Sequence, residues 1–241
     1  MRGVILAGGL GKRLYPLTRV SNKHLLPVYN KPMIYYPIDA LVEAGIRDIL
    51  IVTGGNHAGE FLRLLGNGHQ FGLKHLNYTY QEGEGGIAAA LLLAEHFADG
   101  EKIVVILGDN IIEKDIRKEV TDFKKQPKGA KILIKEVEDP GRFGVVTLRD
   151  KKIVSIDEKP KDPKSNYIVT GIYMYDNQVF DIIKELKPSS RNELEITDVN
   201  NKYLKTGELT YDIFDGWWSD SGTFDSLLRA NNLIAERERN R

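Results

Sequence analysis

A chain of 241 residues, 41% hydrophobic and 28% charged, can bury a full core as one large domain or two small ones. Lys+Arg and Asp+Glu balance at 34 each, so net charge points to neither nucleic acid nor a membrane surface. The absence of cysteine excludes a disulfide scaffold, a thiol nucleophile and thiolate metal sites.

In chain order, Gly3–Ala7 is predicted to be a strand. It begins so early that a signal peptide has no room, and no apolar run approaches the ~20 residues of a membrane span. A cytoplasmic protein is therefore expected. A helix is predicted over Pro32–Ala44, closed by Gly45. Strands follow at Asp48–Thr53 and Lys74–Tyr80, with a short helix over His57–Leu65 between them. Gly86–Phe97, rich in Ala and Leu, predicts one helix. Lys102–Leu107 is an unbroken apolar run, as in a strand buried on both faces. This alternation argues for a parallel sheet with helices on both sides.

The second half is mixed. Ala130–Val137, Gly144–Leu148, Ile153–Ile156, Ile168–Tyr175 and Leu209–Phe214 are predicted strands, with a hairpin turn at Arg149–Lys152. Asn177–Leu186, Glu195–Thr206 and Thr223–Arg239 are predicted helices. No repeat or linker interrupts the chain, so a single domain over 1–241 is expected. Its nucleotide-binding part spans about 1–110 and its sugar-phosphate part about 111–241.

The loop after the first strand, Gly8-Gly9-Leu10-Gly11-Lys12-Arg13, invites comparison with two nucleotide motifs. A dinucleotide fingerprint needs a third glycine where Leu14 stands, and an acidic residue where Thr53-Gly54-Gly55 stands. A P-loop needs Gly at Leu6 and Ser or Thr at Arg13. Neither fits. What remains is exposed backbone N–H groups beside Lys12, Arg13 and Lys23, an anion cradle whose natural guest is a polyphosphate.

The full stretch is Gly8-Gly-Leu-Gly-Lys-Arg-Leu14, Pro16-Leu-Thr18, Lys23-His-Leu-Leu-Pro27 and Lys31-Pro-Met33. It resembles the signature of the sugar-phosphate nucleotidyltransferases. Leu107-Gly-Asp-Asn110, Arg142–Val146, Glu158-Lys-Pro160, Val169–Tyr173, Glu193–Val199 and Trp218–Gly222 follow in family order. The resemblance implies a Rossmann-like three-layer α/β/α fold with a mostly parallel, mixed central sheet. The form of Pro32–Pro37 and Leu107–Asn110 resembles that of the thymidylyltransferase branch. That branch converts dTTP and glucose 1-phosphate to dTDP-glucose and pyrophosphate, the first step of dTDP-rhamnose-type deoxysugar synthesis.

The resemblance also assigns roles. Leu6, the backbone of Gly8, Gly9 and Gly11, and Arg13 would hold the triphosphate. Lys23 would serve the α-phosphate, and Gln81 and Gly86 the base. Asp109 and Asp220 would hold Mg²⁺. Asn110, Gly144, Glu158, Lys159, Thr170, Gly171, Tyr173 and Arg191 would serve the sugar phosphate. Arg13, Lys23, Asp109 and Lys159 form the expected catalytic set. Asp109 ends a buried strand, where open α/β sheets place ligands; the alternative is the cap of a helix over Ile111–Lys125.

A phosphate monoester is mostly dianionic at neutral pH, so no general base is needed. The five histidines show no catalytic spacing and are expected at the surface or core edge. Two features depart from the family: His24 stands where Gln is usual, and longer relatives continue past Trp218–Gly222 into segments used for subunit contacts and regulation. A homo-oligomer is still expected. Neither nucleic acid nor a membrane is an expected partner. Rival readings are a UTP-dependent uridylyltransferase, a glycosyltransferase, which would want an Asp-x-Asp pair, and a non-catalytic sugar-nucleotide sensor.

Overall fold

The computed structural model describes residues 1–240. Its contacts divide into two compact units, each assembled from separated stretches of chain. One comprises 2–84, 106–117 and the segment from 216 onward. The other comprises 85–105 and 118–215, with Met1. Nine longer strands and the helices between them make an α/β fold with a mixed sheet.

The first of these units is built on parallel strands. β1 (Arg2–Ala7), β2 (Asp48–Gly54) and β3 (His75–Gln81) lie side by side in parallel. Their register sets Ala7 beside Thr53 and Gly54 beside Gln81, so the three carboxyl ends finish level. Residues 3–7 and 49–54 are buried throughout, as in a sheet covered on both faces. β4 (Ile103–Leu107) leads into Gly108, whose N–H donates to the Leu6 carbonyl at 2.9 Å.

Three helix predictions shift for local reasons. The helix expected from Pro32 runs over Tyr35–Glu43, because Lys31–Pro32 pair with Pro27–Val28 as a short hairpin. Pro37 falls in its first turn, where the missing N–H is no loss. The helix expected over Gly86–Phe97 is two, Ile87–Leu92 and Glu95–Ala98. They separate where the Ala94 N–H bonds Leu91, three residues back. The segment after Asn110 is not helical: Ile111–Ile112 pair antiparallel with Trp218–Ser219, and the helix begins only at Arg117. Asp109 therefore caps no helix.

The closing helix, Phe224–Arg239, starts from a capping box between Thr223 and Ser226, which satisfies two orphan backbone donors. Its Ala230 and Ile234 pack with Val28, Met33, Tyr36 and Ile111. The pairing of Trp218–Ser219 with Ile111–Ile112 sets the start of the Trp218–Gly222 segment beside Asn110.

The second unit carries β5 (Ala130–Glu136), β6 (Gly144–Arg149), β7 (Lys152–Glu158), β8 (Tyr167–Tyr175) and β9 (Leu209–Ile213). β6 and β7 form the predicted hairpin. Asp150 and Lys151 both have positive φ, the backbone a two-residue hairpin turn requires. β8 runs antiparallel to β5 with a register shift between Val169 and Tyr173, and β9 runs parallel to β5. No helix among the described residues is long and apolar enough to cross a membrane.

Candidate functional site

Open parallel sheets offer ligands a place beyond their carboxyl ends, and the glycine loop begins there. Gly8 follows β1 and approaches both neighbours closely. A Cβ on Gly54 would lie 2.8 Å from the Gly8 carbonyl oxygen, and one on Gly8 would lie 2.6 Å from Gln81 Oε1. The Gln81 amide is thus set against the start of the loop. Gly11 adopts φ +67, a left-handed conformation suited to glycine, and opens the short turn Lys12–Leu14. Thr18 Oγ1 donates to the Gly11 carbonyl at 3.0 Å. Lys12 is exposed and paired with Glu84 at 2.5 Å.

Lys23 crosses this loop. A Cβ on Gly9 would lie 3.3 Å from Lys23 Cε, and one on Gly11 would lie 2.9 Å from Lys23 Cβ. Asn22 holds the turn by accepting from the His24 N–H at 3.0 Å. Lys23 Nζ donates to Asp109 Oδ2 at 2.6 Å, and Asn110 Nδ2 donates to Asp109 Oδ1 at 3.1 Å. Asp109 is only 8% exposed. Burial works against its ionisation, but the Lys23 ammonium and these hydrogen bonds outweigh it and hold the carboxyl below the usual range.

The late segment completes the group. Trp218 Nε1 donates to Asn110 Oδ1 at 2.6 Å, and the Ser219–Ile111 pairing leads Asp220 to the level of Asn110. A Cβ on Gly222 would lie 3.0 Å from Arg13 Nη2 and 3.6 Å from Asp109 Oδ2. One glycine thus admits both the guanidinium and the carboxylate. Ser221 is held at φ +36, strain of a kind that collects at functional sites. Its buried Oγ has no hydrogen-bond partner among the described residues.

These donors suit a hard divalent cation. Among the described residues no group of three or more His, Asp or Glu could hold a metal. Mg²⁺, however, needs only one or two carboxylates when phosphates and water supply the rest. Asp109 is ionised, Asp220 stands level with Asn110, and the Ser221 hydroxyl lacks a partner among the described residues.

His24 corrects an expectation. It is 2% exposed, not at the surface or core edge, and packs against Gly108. Burial, aided by the Lys23 charge, pushes its pKa down to about 3, so it is neutral at physiological pH.

In the second unit, Glu158 ends β7 opposite Gly144. Its Oε2 accepts from Thr197 Oγ1 at 2.5 Å and its Oε1 from Arg191 Nη2 at 3.0 Å. A Cβ on Gly144 would lie 3.1 Å from Thr197 Oγ1, so glycine makes room for this pair. Arg191 also donates to Glu195 at 2.7 and 3.2 Å. Partial burial disfavours its charge, but Glu195 and Glu158 prevail and it stays a cation. Lys159 is half-exposed, with Nζ 3.5 Å from Glu158 Oε1, and adopts φ +44.

Gly144, Glu158, Lys159 and Arg191 therefore meet. Thr170 is spent inside the sheet: its hydroxyl donates to the Leu133 carbonyl at 2.9 Å, within the register shift of β8. Gly171 lies in the same irregularity, and Tyr173 is buried and stacked on Tyr175. Gly86 opens a helix at φ +93, where a Cβ would lie 2.6 Å from the Leu194 carbonyl oxygen. Thr197, Glu195, Trp218 and Gly222 were missed as site residues. Their motifs stand in the sequence, but pairings such as Glu158–Thr197 join distant positions.

Comparisons with known proteins place the chain in a family. The sequence model of the nucleotidyl transferase family matches residues 2–237. The glucose-1-phosphate thymidylyltransferase of Neisseria meningitidis is 45% identical over 238 residues, covering 97% of this chain and 82% of that protein. The enzyme of the same name from Mycobacterium tuberculosis H37Rv is 43% identical over 243 residues, covering 99% and 84%. A crystal structure from Bacillus anthracis, provisionally named a glucose-1-phosphate thymidylyltransferase and holding sucrose, superposes with TM-score 0.93 at 56% identity. It covers 97% of this chain and 94% of its own. A UDP-glucose pyrophosphorylase bound to UDP-glucose gives TM-score 0.86 at 26% identity, covering 98% of each chain. These likenesses bear out the Rossmann-like fold with its mixed, mostly parallel sheet. The chain belongs to the nucleotidyl transferase family.

Proposed function

We propose that the protein is a glucose-1-phosphate thymidylyltransferase, forming dTDP-glucose and pyrophosphate from dTTP and glucose 1-phosphate. The observation that carries this reading is the meeting of Arg13, Lys23 and Asp109 at the carboxyl ends of parallel strands, around Gly222. Relatives 42–46% identical over nearly the whole chain bear that enzyme's name. The likeness to UDP-glucose pyrophosphorylase is more distant.

The nucleophile is a phosphate oxygen that is already ionised near neutral pH. No side chain need remove a proton, which accords with a neutral, buried His24. The barrier is electrostatic: charge develops on the departing pyrophosphate and must meet preorganised cations. Arg13 and the N–H groups of Gly8–Gly11 would bind the β- and γ-phosphates, and Lys23 the α-phosphate. Asp109 and Asp220 would hold Mg²⁺, which when bound neutralises phosphate charge. Gln81 can pair with a base edge as both donor and acceptor. Glu158, held by Thr197 and Arg191, would accept from sugar hydroxyls, and Lys159 would meet the sugar phosphate. Both substrates are cytoplasmic metabolites in this reading, and a homo-oligomer is the proposed assembly.

Pyrophosphate release from a matrix of nucleoside triphosphates and sugar 1-phosphates, with Mg²⁺, tests the proposal. dTTP with glucose 1-phosphate should react fastest. Preference for UTP would move the protein to the uridylyltransferases, and no release with any pair would sink the enzyme reading.

A further inference from the structure

Two groups that the proposed reaction needs apart are found together. Lys23 Nζ lies 2.6 Å from Asp109 Oδ2, with side chains 14% and 12% exposed. The arrangement is built in. Gly9 leaves the space that Lys23 Cε and Nζ cross, Gly11 admits its Cβ, and Asn22 holds its turn. Asn110 occupies the other carboxylate oxygen. An N–H donor therefore sits on each oxygen of Asp109. A divalent cation cannot share Oδ2 with an ammonium, since like charges at contact distance repel strongly in a partly buried site.

We infer that Lys23 is the resident counter-ion of Asp109, and that loading of the site is an exchange. Asp109 receives a divalent cation only as Lys23 leaves it for a phosphate of the incoming nucleotide. The inference rests on the nucleotide-and-cation reading of this site. Its consequence is positive coupling: the displaced ammonium needs a phosphate, and the vacated carboxylate needs a cation. Without nucleotide, Lys23 makes the protein a poor binder of divalent cations.

The probe is Mn²⁺, titrated into nucleotide-free protein and followed by electron paramagnetic resonance. Lys23→Gln keeps an N–H donor for Asp109 but removes the charge. Lys23→Met removes both, and thermal unfolding checks that each variant folds. Lys23→Gln should bind Mn²⁺ about tenfold or more tightly than the wild type, within the range common for coupled sites. Mn²⁺ should also raise its Tm by more than it raises that of the wild type. Adding Asp109→Asn should abolish the gain. Equal or weaker Mn²⁺ binding by the folded Lys23 variants would overturn the exchange, as would a gain that survives Asp109→Asn. No nucleotide is present, so a protein that showed the gain yet released no pyrophosphate would lose the proposed function and keep Lys23 as the counter-ion that excludes the cation from Asp109.

Discussion

Substituting Gly54 by alanine tests whether close approach of the strand ends shapes the phosphate loop. Gly54 has φ −164 and ψ 173, extended backbone that any residue adopts, so the cost of Gly54→Ala is steric alone. The new Cβ would stand 2.8 Å from the Gly8 carbonyl oxygen and 3.0 Å from Gly8 Cα, where ordinary contact begins at 3.4 Å. Both atoms are backbone and cannot rotate away. Overpacking of this kind costs about 1–3 kcal/mol. For a domain this size each kcal/mol lowers Tm by about 2–4 °C, which predicts a fall of roughly 2–12 °C. Gly8 must move, and the loop with it. Misplacement of about 1 Å can cost ~10²-fold in rate, so kcat/KM for dTTP should fall at least about tenfold. The KM for glucose 1-phosphate should hardly change. The control is Gly59→Ala, in the first turn of the helix Ala58–Leu65, where none of the described residues lies within 4 Å of the new Cβ. It should stabilise the protein by about 0.4–1 kcal/mol, through the lower entropy of the unfolded chain. Thermal unfolding and pyrophosphate-release kinetics read both variants. A Gly54→Ala protein as stable and as active as the wild type would refute the reasoning.

His24 makes the protein sensitive to acid. Its pKa falls from 6.5 free to about 3 folded, so between those values the unfolded chain takes up a proton that the folded chain refuses. Stability is then lost as pH falls from 6.5 toward 3, by on the order of 4–5 kcal/mol in all. His24→Gln should flatten the Tm profile over that window, and parallel profiles would contradict the assignment. Arg13→Ala should lower kcat/KM by about 10²-fold or more with little change in Tm, because the side chain is exposed. A normal rate would return Arg13 to the solvent. Glu158→Gln weakens a charge-assisted acceptor worth about 1.5–3 kcal/mol, so the KM for glucose 1-phosphate should rise about tenfold or more while that for dTTP holds. Equal changes in both KM values would place Glu158 outside the sugar side.

The sequence by itself determined the strands and the loop. Apolar runs such as Val4–Ala7 and Ile103–Leu107 must be buried, and period and punctuation suffice to locate them. The Arg149–Lys152 turn was legible because its chemistry is local. So was the glycine-and-cation loop, whose backbone and charge lie within six residues. Helix edges were less legible: the pairing of Ile111–Ile112 with Trp218–Ser219 moves the helix start to Arg117, and that pairing joins positions more than a hundred residues apart. Only the tertiary structure decided which side chains meet. Lys23 and Asp109 are 86 positions apart, and Asn110 and Trp218 are 108 apart. Burial of the Lys23–Asp109 pair is what turns an ordinary lysine and aspartate into a charge-paired site. The same burial makes His24 neutral, and the network of Glu158, Thr197 and Arg191 exists only after the chain has folded. Such effects depend on desolvation and on contacts between distant residues, and neither is written in any local stretch of sequence.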